Sequence, residues 1–508
     1  MSTLESALVF YSHAAFVYYV AFNAIYLVLM VLASLETGEE VHRRTYLGLD
    51  EAFRSPLTPG ISVLVPAFNE AAVIVPSVRS LLSLHYPRHE VIVVSDGSTD
   101  GTVAALAQAF DLVATPVAAR DTLATAAVRA TYLSRRYHNL VVVDKDNGGR
   151  SDALNAALCI ARHPYVCVID ADSLLEEDSL LKVAKPVLDA PDLLVATGGT
   201  IRVANGCRVD HGRVVEVRLP TNRLAKMQVL EYLRAFLDSR TGWSRLNALG
   251  IISGAFGLFH RPLVELVGGY WTETVGEDFE LTLRLHRHLR ERDEPYRIAF
   301  VADPACWTEV PESFGALARQ RRRWQRGAWE GMWRHRRMMF NPRFGAVGLL
   351  AMPYFLVFEF LSPVFALGGL IVTALLFALG VLTATYFIGF IAVSIGLGIL
   401  LSLAAVTIEE FGYQRYRRRG EVAQLVGYAI VEGFGFHQLH NVWRLMGCID
   451  LLRGTTGWGA QQRRGFETEA EPVPGALDPA LTRSRDPEPA PDAGPGGPRP
   501  APRAGGGG

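Results

Sequence analysis

The chain has 508 residues, 50% of them hydrophobic, and its 50 Lys and Arg residues nearly balance its 51 Asp and Glu residues. This length exceeds one typical domain, and the net charge of −1 gives no basis for nucleic acid as a partner. Five cysteines without a Cys-x-x-Cys pair indicate reduced thiols rather than a zinc site.

The first predicted element is a membrane helix in residues 1–40. Residues 6–35 contain no Asp, Glu, Lys or Arg, and a membrane span needs roughly 20 apolar residues. A signal peptide is the alternative, but the run is too long for one and no small-residue cleavage site follows it. Arg43 and Arg44 follow the run, so the positive-inside rule predicts an outer amino terminus and a cytoplasmic segment next.

Residues 41–343 are predicted to form this cytoplasmic domain. Short apolar strands alternate with helical patterns from Ile61 to Ile169. Such alternation indicates an α/β fold with a parallel sheet, whose ligands bind at the carboxyl ends of the strands. Asp96, Asp170 and Asp172 fall at such ends, so they can converge although they are far apart in sequence.

Two carboxylate pairs in this domain have the chemistry of a transfer site. Asp170 and Asp172 directly follow an apolar strand and can hold Mg²⁺ or Mn²⁺ against a diphosphate, with an ordinary turn as the alternative. Glu277 and Asp278 open a helix, where they either complement the helix dipole or supply a catalytic base.

A basic and aromatic motif, Gln320-Arg-Arg-Arg323-Trp324, completes the set. Arg323 can neutralise a departing diphosphate, and Trp324 offers a flat face for a sugar. The alternative is a basic helix at the membrane surface, and both can hold at once. We assign the neighbouring Arg319, Arg321, Arg322 and Arg326 to the surface role.

The motifs and their order resemble the membrane-embedded family-2 glycosyltransferases, the group of cellulose, chitin, hyaluronan and poly-N-acetylglucosamine synthases. The resemblance implies a GT-A-type, Rossmann-like and mostly parallel sheet in the cytoplasm, flanked by transmembrane helices. It assigns Asp278 as the catalytic base, with Glu277 and Arg323 as further catalytic residues. It assigns Trp324, Ser253 and Gly254 to the acceptor.

The resemblance also implies a donor site. The residues that it assigns to the nucleotide and donor are Pro66, Glu70, Asp96, Arg150, Asp170, Asp172, Gln320 and Arg323. Asp96 corresponds to the aspartate that hydrogen-bonds uracil, and Asp172 to the firmer metal contact, with Asp170 as the second. Arg150 stands where the family usually has Lys, and Gly276 where it has Thr.

Membrane segments are predicted again after residue 343, at 344–379 and 380–410. Residues 344–408 contain one charged residue, Glu359, and arginines lie before and after them, so an even number of crossings is expected. Residues 411–466 are predicted to be cytoplasmic, interfacial or re-entrant, with a Trp/Arg motif at 455–466. A fourth crossing within 422–452 is the alternative. Residues 467–508, rich in Pro, Ala and Gly, are predicted to be a disordered tail.

These features predict an inverting, metal-dependent glycosyltransferase of the inner (plasma) membrane that is processive and coupled to export of its β-linked product. The predicted partners are a UDP-sugar donor, a growing polysaccharide acceptor and the lipid bilayer. UDP-N-acetylglucosamine is the favoured donor, and the sequence does not identify accessory export subunits. One alternative is transfer of a single sugar to a lipid or short acceptor. Another is a non-catalytic nucleotide-sugar-binding membrane protein.

Overall fold

A mostly parallel sheet forms the centre of the domain between the apolar runs. Among the residues that the computed structural model describes (3–44, 53, 55–416 and 418–453), ten strands form this sheet in the order β3-β4-β5-β2-β1-β6-β11-β8-β12-β7. Only β4, β7 and β11 run opposite to the others. Strands β9 and β10 pair separately. The strands are β1 Ile61–Ala67, β2 His89–Asp96, β3 Leu112–Ala114, β4 Val128–Ser134, β5 Leu140–Lys145, β6 Tyr165–Ile169, β7 Ser173–Leu175, β8 Leu194–Val203, β9 Arg208–Asp210, β10 Arg213–Glu216, β11 Phe256–His260 and β12 Arg297–Thr308.

Helices cover the sheet and continue into the apolar part of the chain. The α-helices are α1 Thr3–Arg44, α2 Ile74–Leu82, α3 Thr102–Phe110, α4 Arg150–Ile160, α5 Ser179–Asp189, α6 Arg223–Leu233, α7 Thr241–Arg245, α8 Arg261–Leu266, α9 Glu277–Glu291, α10 Phe314–Arg334, α11 Met352–Tyr354, α12 Gly369–Ala378, α13 Ala384–Ile391, α14 Leu397–Gly412, α15 Arg419–Val431 and α16 Phe436–Leu452. The π-helical turns are Arg234–Arg240, Val347–Ala351, Phe355–Phe360, Pro363–Gly368 and Ala392–Gly396, and the 3₁₀ turns are Arg336–Met338 and Pro342–Phe344.

The central strands are continuous apolar runs because both faces of the sheet are covered. Every residue of β1 is buried, and Val63 lies in register with Val91 of β2 and Cys167 of β6. The carboxyl ends of β1, β2, β5 and β6 therefore lie at one edge of the sheet. The α/β fold class predicted from the sequence is confirmed.

Two of the described helices are long and apolar enough to cross a membrane, Thr3–Glu39 and Ala384–Gly412. A third candidate is the pair Val347–Phe360 and Pro363–Ala378, which is bent by 43°. The bend falls at Pro363, where a proline ring interrupts regular helix geometry. The break between the last two candidates lies between Ala378 and Ala384.

The predicted interfacial segment forms two shorter helices, α15 and α16. Helix α16 packs against α10, where Arg322 donates two hydrogen bonds of 2.6 Å to Asp450. Gly447 allows this close approach, since a Cβ there would lie 2.8 Å from the Arg322 carbonyl oxygen. The Trp/Arg motif at 455–466 and the tail at 467–508 lie outside the described residues.

A buried ion pair joins the sheet domain to one of the candidate membrane helices. Arg202 of β8 pairs with Glu409 of α14 at 2.9 Å, and both side chains are nearly inaccessible to solvent. A buried charge left alone is strongly destabilising, so such a pair fixes where the domain sits on the helices. The sheet edge is thereby held against the apolar segments.

Candidate active site

A cavity of about 360 Å³ opens at the edge where the central strands end. Its volume falls in the range of about 300–1,000 Å³ that is typical of small-molecule sites. Among the residues assigned from the sequence, those on its wall are Arg150, Asp170, Asp172, Ser253, Gly254, Glu277, Asp278, Gln320, Arg323 and Trp324. The structure therefore brings together motifs that are separated by more than 100 positions in the chain.

Asp278 is held at the start of α9 with its carboxylate turned into this cavity. One carboxylate oxygen accepts a hydrogen bond of 3.1 Å from the Gly254 amide, and the other accepts one of 2.8 Å from the Phe279 amide. The side chain is partly exposed, so an acceptor hydroxyl can reach it. This is the geometry that a general base requires: a fixed carboxylate with access to the cavity.

Arg150 lies between two of the carboxylates. Its Nε donates to Glu277 at 2.6 Å, its Nη2 donates to the Gly254 carbonyl at 2.8 Å, and its Nη1 pairs with Asp170. Burial would lower the pKa of Arg150, but Asp170 and Glu277 together hold it above the ordinary value. Arg150 thus links the start of α4 to both acidic motifs and to the 253–254 loop.

Glu277, which precedes Asp278 in the chain, is almost completely buried. Burial raises the pKa of the Glu277 carboxyl, and the Arg150 guanidinium opposes that shift. Because its Oε1 is already engaged by Arg150, Glu277 orients this arginine rather than facing the acceptor. The catalytic role assigned to Glu277 from the sequence stays a prediction.

Asp170 and Asp172 follow β6, as the sequence predicts, and flank Ala171. Asp172 is 2% exposed, whereas the Asp170 side chain is 30% exposed and already paired with Arg150. Among the described residues, no group of three or more His, Cys, Asp and Glu side chains is arranged to hold a metal ion. Any metal here would therefore need ligands from a substrate in addition to the two aspartates.

The Gln320 to Trp324 motif lies on α10, and Gln320, Arg323 and Trp324 line the same cavity. The Trp324 ring is 43% exposed, and the Arg321 guanidinium lies 4.1 Å from its centroid. Arg321 is itself buried and donates a 2.7 Å hydrogen bond to Glu231. The surface role assigned to Arg321 is therefore wrong, because this side chain lines the cavity instead of facing lipid headgroups.

Two glycines bring α9 and α10 close enough to share the site. Gly276 precedes α9, and a Cβ there would lie 2.7 Å from the Gly327 carbonyl carbon. A Cβ on Gly327 would in turn lie 2.6 Å from the Gly276 nitrogen. Without side chains, the two backbones touch, and Asp278 faces the same cavity as Arg323 and Trp324. This contact accounts for Gly276 at the position where the resemblance leads one to expect Thr.

Asp96, Pro66 and Glu70 are not brought onto this cavity wall, although they lie at the ends of the neighbouring strands β1 and β2. The Asp96 carboxylate accepts hydrogen bonds from the Gly148 amide (2.9 Å), the Gly149 amide (2.8 Å) and Lys145 Nζ (2.7 Å). Asp96 is 3% exposed, so in this structure it fixes the Gly-Gly turn. Contact between these three residues and a nucleotide stays a prediction.

Sequence reasoning missed Lys145. This side chain is completely buried and forms ion pairs with both Asp96 and Asp152. It thereby ties the end of β2 to the start of α4, which carries Arg150. The signal was present in the sequence, since a lysine between two aspartates directly follows the apolar strand 140–143.

Comparison with known proteins identifies the class to which this arrangement belongs. Residues 59–327 match the family described as "Glycosyltransferase like family 2", which is more than half of the chain. The chain therefore belongs to glycosyltransferase family 2.

Particular relatives are similar over the same part of the chain. Over 272 residues the chain is 28% identical to a poly-beta-1,6-N-acetyl-D-glucosamine synthase of Staphylococcus epidermidis, covering 53% of this chain and 55% of that protein. The corresponding synthase of Staphylococcus aureus strain COL is 27% identical with the same coverage. The match thus spans about half the length of these curated relatives.

A solved structure with a similar chain is a mannosyltransferase from Pyrobaculum calidifontis in complex with GDP-Man and Mn²⁺. It is 18% identical, with a TM-score of 0.47, and the match covers 86% of this chain and 100% of that one.

Proposed function

We propose that this protein is a processive, inverting membrane synthase that adds N-acetylglucosamine from UDP-N-acetylglucosamine to the end of a β-linked polysaccharide and passes the product through the membrane. The names of the similar synthases support this donor and product. One observation carries the proposal beyond family membership: the candidate active site adjoins a second cavity among the apolar helices.

The second cavity has a volume of about 420 Å³ and lies between α1, the bent helix pair, α14 and α16. Residues on the walls of both cavities are Glu231, Ala235, Arg240, Ile251, Trp324, Phe355, Glu359, His440 and Arg444. A product formed at Asp278 would pass Trp324 and enter the second cavity directly.

The lining of the second cavity suits a carbohydrate. Asn23, Ser394, Ser402 and Asn441 offer groups that hydrogen-bond to hydroxyls, and aromatic rings such as Tyr18 offer flat apolar faces. A polysaccharide cannot cross hydrocarbon unaided, because its hydroxyls would lose their hydrogen bonds to water. A passage lined by such groups removes that obstacle.

The site's own residues account for the transfer step. The Asp278 carboxylate takes the proton from the acceptor hydroxyl as its oxygen forms a bond to the anomeric carbon of the donor. The bond from that carbon to the diphosphate oxygen breaks, and its electron pair leaves on UDP, so the anomeric configuration inverts. Arg323 stabilises the charge that develops on the diphosphate.

Mg²⁺ or Mn²⁺ fits the donor set at Asp170 and Asp172. Both residues offer carboxylate oxygens, which these hard cations prefer, and the two alone do not complete a coordination shell. When bound, the ion would supply positive charge to the diphosphate. Because Arg150 already pairs with Asp170, we assign the stronger contact to Asp172.

Replacing Asp172 with asparagine should therefore weaken metal-dependent donor binding by about tenfold or more, since the amide lacks the negative charge that a divalent ion requires. Titration calorimetry of UDP with and without Mg²⁺ measures the effect. The exposed Asp189→Asn provides the matched control, since Asp189 pairs with Lys185 away from both cavities. An unchanged Mg²⁺ requirement in Asp172→Asn would refute the metal role.

Replacing Trp324 with alanine should impair chain elongation about tenfold or more, while hydrolysis of the donor by water changes much less, because the lost ring face serves the acceptor sugar. Labelled product length and UDP release, measured in the same preparation, separate the two reactions. Trp333→Ala on the same helix is the control, since Trp333 is 59% exposed and lines neither cavity. Equal loss of both activities would assign Trp324 a structural role only.

The proposed topology follows the helices that could span. It places the domain at 41–343 in the cytoplasm, with helices at 1–40, 344–379 and 380–410 in the inner (plasma) membrane, and the segment at 411–466 at the interface. Contact between α16 and the basic helix α10 supports the interfacial placement of that segment. The proposed partners are the donor, the polymer and the bilayer.

A donor panel with analysis of product length tests the proposal as a whole. The purified protein with Mg²⁺ or Mn²⁺ should release UDP from UDP-N-acetylglucosamine and yield long β-linked products. Addition of one sugar per acceptor would favour the non-processive alternative. No turnover of any UDP-sugar would favour a nucleotide-sugar-binding protein without catalysis.

A further inference from the structure

Arg240 occupies the junction between the two cavities. It ends the π-helical turn Arg234–Arg240, and its side chain contributes to the walls of both cavities together with Trp324. π-Helical turns are rare and frequently occur at functional sites, because the wider turn redirects side chains. No motif in the sequence marks Arg240 as functional.

The acidic groups at the junction already have basic partners other than Arg240. Glu231 accepts the 2.7 Å hydrogen bond from Arg321, and Glu359 pairs with Arg444 at 2.7 Å. The carboxylate that acts electrostatically on Arg240 is that of Asp278, the proposed base. Arg240 and Asp278 also line the same cavity, so the positive charge of Arg240 acts on the space in which the acceptor hydroxyl must lie.

The Arg240 guanidinium also retains donor capacity. Its Nη1 is buried and has no hydrogen-bond partner among the residues that the structure describes. Its planar group lies over the Phe236 ring, with its central carbon 3.9 Å from the ring centroid. Burial lowers the pKa of Arg240 to about 10, so it remains a cation at neutral pH.

A buried donor without a partner costs free energy unless a ligand satisfies it. Arginine has only donors, so the matching ligand atom is an acceptor oxygen. Stacking on Phe236 covers one face of the guanidinium and leaves its edge, where the N–H groups lie, for that oxygen. Hydroxyl and acetamido oxygens of a sugar meet this requirement.

We propose that Arg240 is an acceptor-binding residue: it donates hydrogen bonds to an oxygen of the terminal sugar of the growing chain and so presents that sugar's hydroxyl to Asp278. The inference rests on the proposed function and names a residue for the acceptor side of the same site. Arg240 changes no covalent bond; the proton still passes from the acceptor hydroxyl to Asp278. Trp324 would contact the same sugar through its ring.

Arg240→Met and Arg240→Lys test this role in the full-length protein in detergent. The probe is a soluble β-1,6-linked N-acetylglucosamine oligosaccharide with UDP-N-acetylglucosamine as donor. Arg240→Met should raise KM for the oligosaccharide about 10- to 100-fold, the loss expected for a charge-assisted hydrogen bond. Donor hydrolysis and UDP affinity should stay within about twofold, and Arg240→Lys should recover part of the loss because it restores a cationic donor.

Arg223→Met is the matched control, since Arg223 is exposed on the preceding helix and lines neither cavity. Retained UDP affinity shows that each variant is folded. The role of Arg240 is contradicted, and the proposed function is not, if wild type elongates the oligosaccharide and Arg240→Met does so with unchanged KM. The same holds if Arg240→Met loses donor hydrolysis and elongation in equal measure. A wild type that transfers no sugar from the donor overturns the proposed function, and this inference with it.

Discussion

Replacing Asp278 with asparagine should reduce sugar transfer by about 10²- to 10⁴-fold, the contribution that a positioned general base usually makes. An amide cannot take the proton of the acceptor hydroxyl. The fold around it should survive, because the asparagine oxygen can still accept a hydrogen bond from Gly254 or Phe279. Initial rates of transfer from labelled donor measure the loss.

Affinity for UDP distinguishes this effect from damage to the site. It should remain close to the wild-type value, since the donor's diphosphate is assigned to Asp172 and Arg323 and not to Asp278. Glu291→Gln is the matched control: it makes the same acid-to-amide change at the other end of α9, where Glu291 is exposed and pairs with Arg287. Transfer above about 1% of wild type in Asp278→Asn would assign the base to another residue.

Replacing Arg150 with methionine should destabilise the protein by about 3–5 kcal/mol, because it leaves two carboxylates at the cavity without their cation. Glu277 is the more affected of the two, being 5% exposed. Thermal unfolding in detergent should show a clear drop in Tm. The double variant Arg150→Met/Glu277→Gln should recover part of the loss, since it removes the buried negative charge that Arg150 leaves behind.

The sign of the pH dependence follows from Glu277. Burial raises the pKa of its carboxyl above the unfolded value, so folding favours its protonated form. Without Arg150 to oppose that shift, stability should rise as the pH falls and decline as the pH rises through the folded pKa. Wild type should depend less on pH in this range.

A surface pair supplies the control for this prediction. Arg129→Met removes an arginine that pairs with Asp146 at 2.6 Å, where both side chains are about half exposed. Its loss should cost at most about 1 kcal/mol, because solvent screens exposed pairs. If Arg150→Met is no less stable than Arg129→Met, Arg150 does not compensate the buried carboxylates.

Much of the site could be predicted because many of its residues belong to short sequence motifs. Asp170 and Asp172 follow a buried apolar strand, and Asp278 lies at the start of a helix. In α/β folds, ligands bind near the ends of such elements. The order of the apolar runs likewise predicted an α/β domain between them. These inferences needed only local patterns.

The remainder depended on contacts that have no local signature. The approach of Gly276 to Gly327 joins α9 to α10 and is visible only once both backbones are placed. Arg321 and Arg323 lie in one basic run, yet the direction in which Arg321 points depends on Glu231, which lies 90 positions away. Asp96 was placed at a strand end correctly, but its enclosure by Lys145 and the glycine amides could not be read from the turn sequence.

The junction between the two cavities could not be predicted from the sequence for the same reason. Its walls combine α1, the π-helical turn that ends at Arg240 and helices near the end of the described chain. The sequence of each segment alone indicates only an ordinary apolar or amphipathic helix. Only their packing creates the cavity next to Trp324.

Electron cryo-microscopy of the enzyme frozen during turnover with UDP-N-acetylglucosamine and Mg²⁺ tests the proposed route of the product most directly. We expect density for consecutive sugars that begins beside Asp278, passes Trp324 and Arg240, and continues into the cavity bounded by Tyr18 and Ser402. Density for a long product that leaves Asp278 toward the cytoplasm, with no sugar between the membrane helices, would contradict this route.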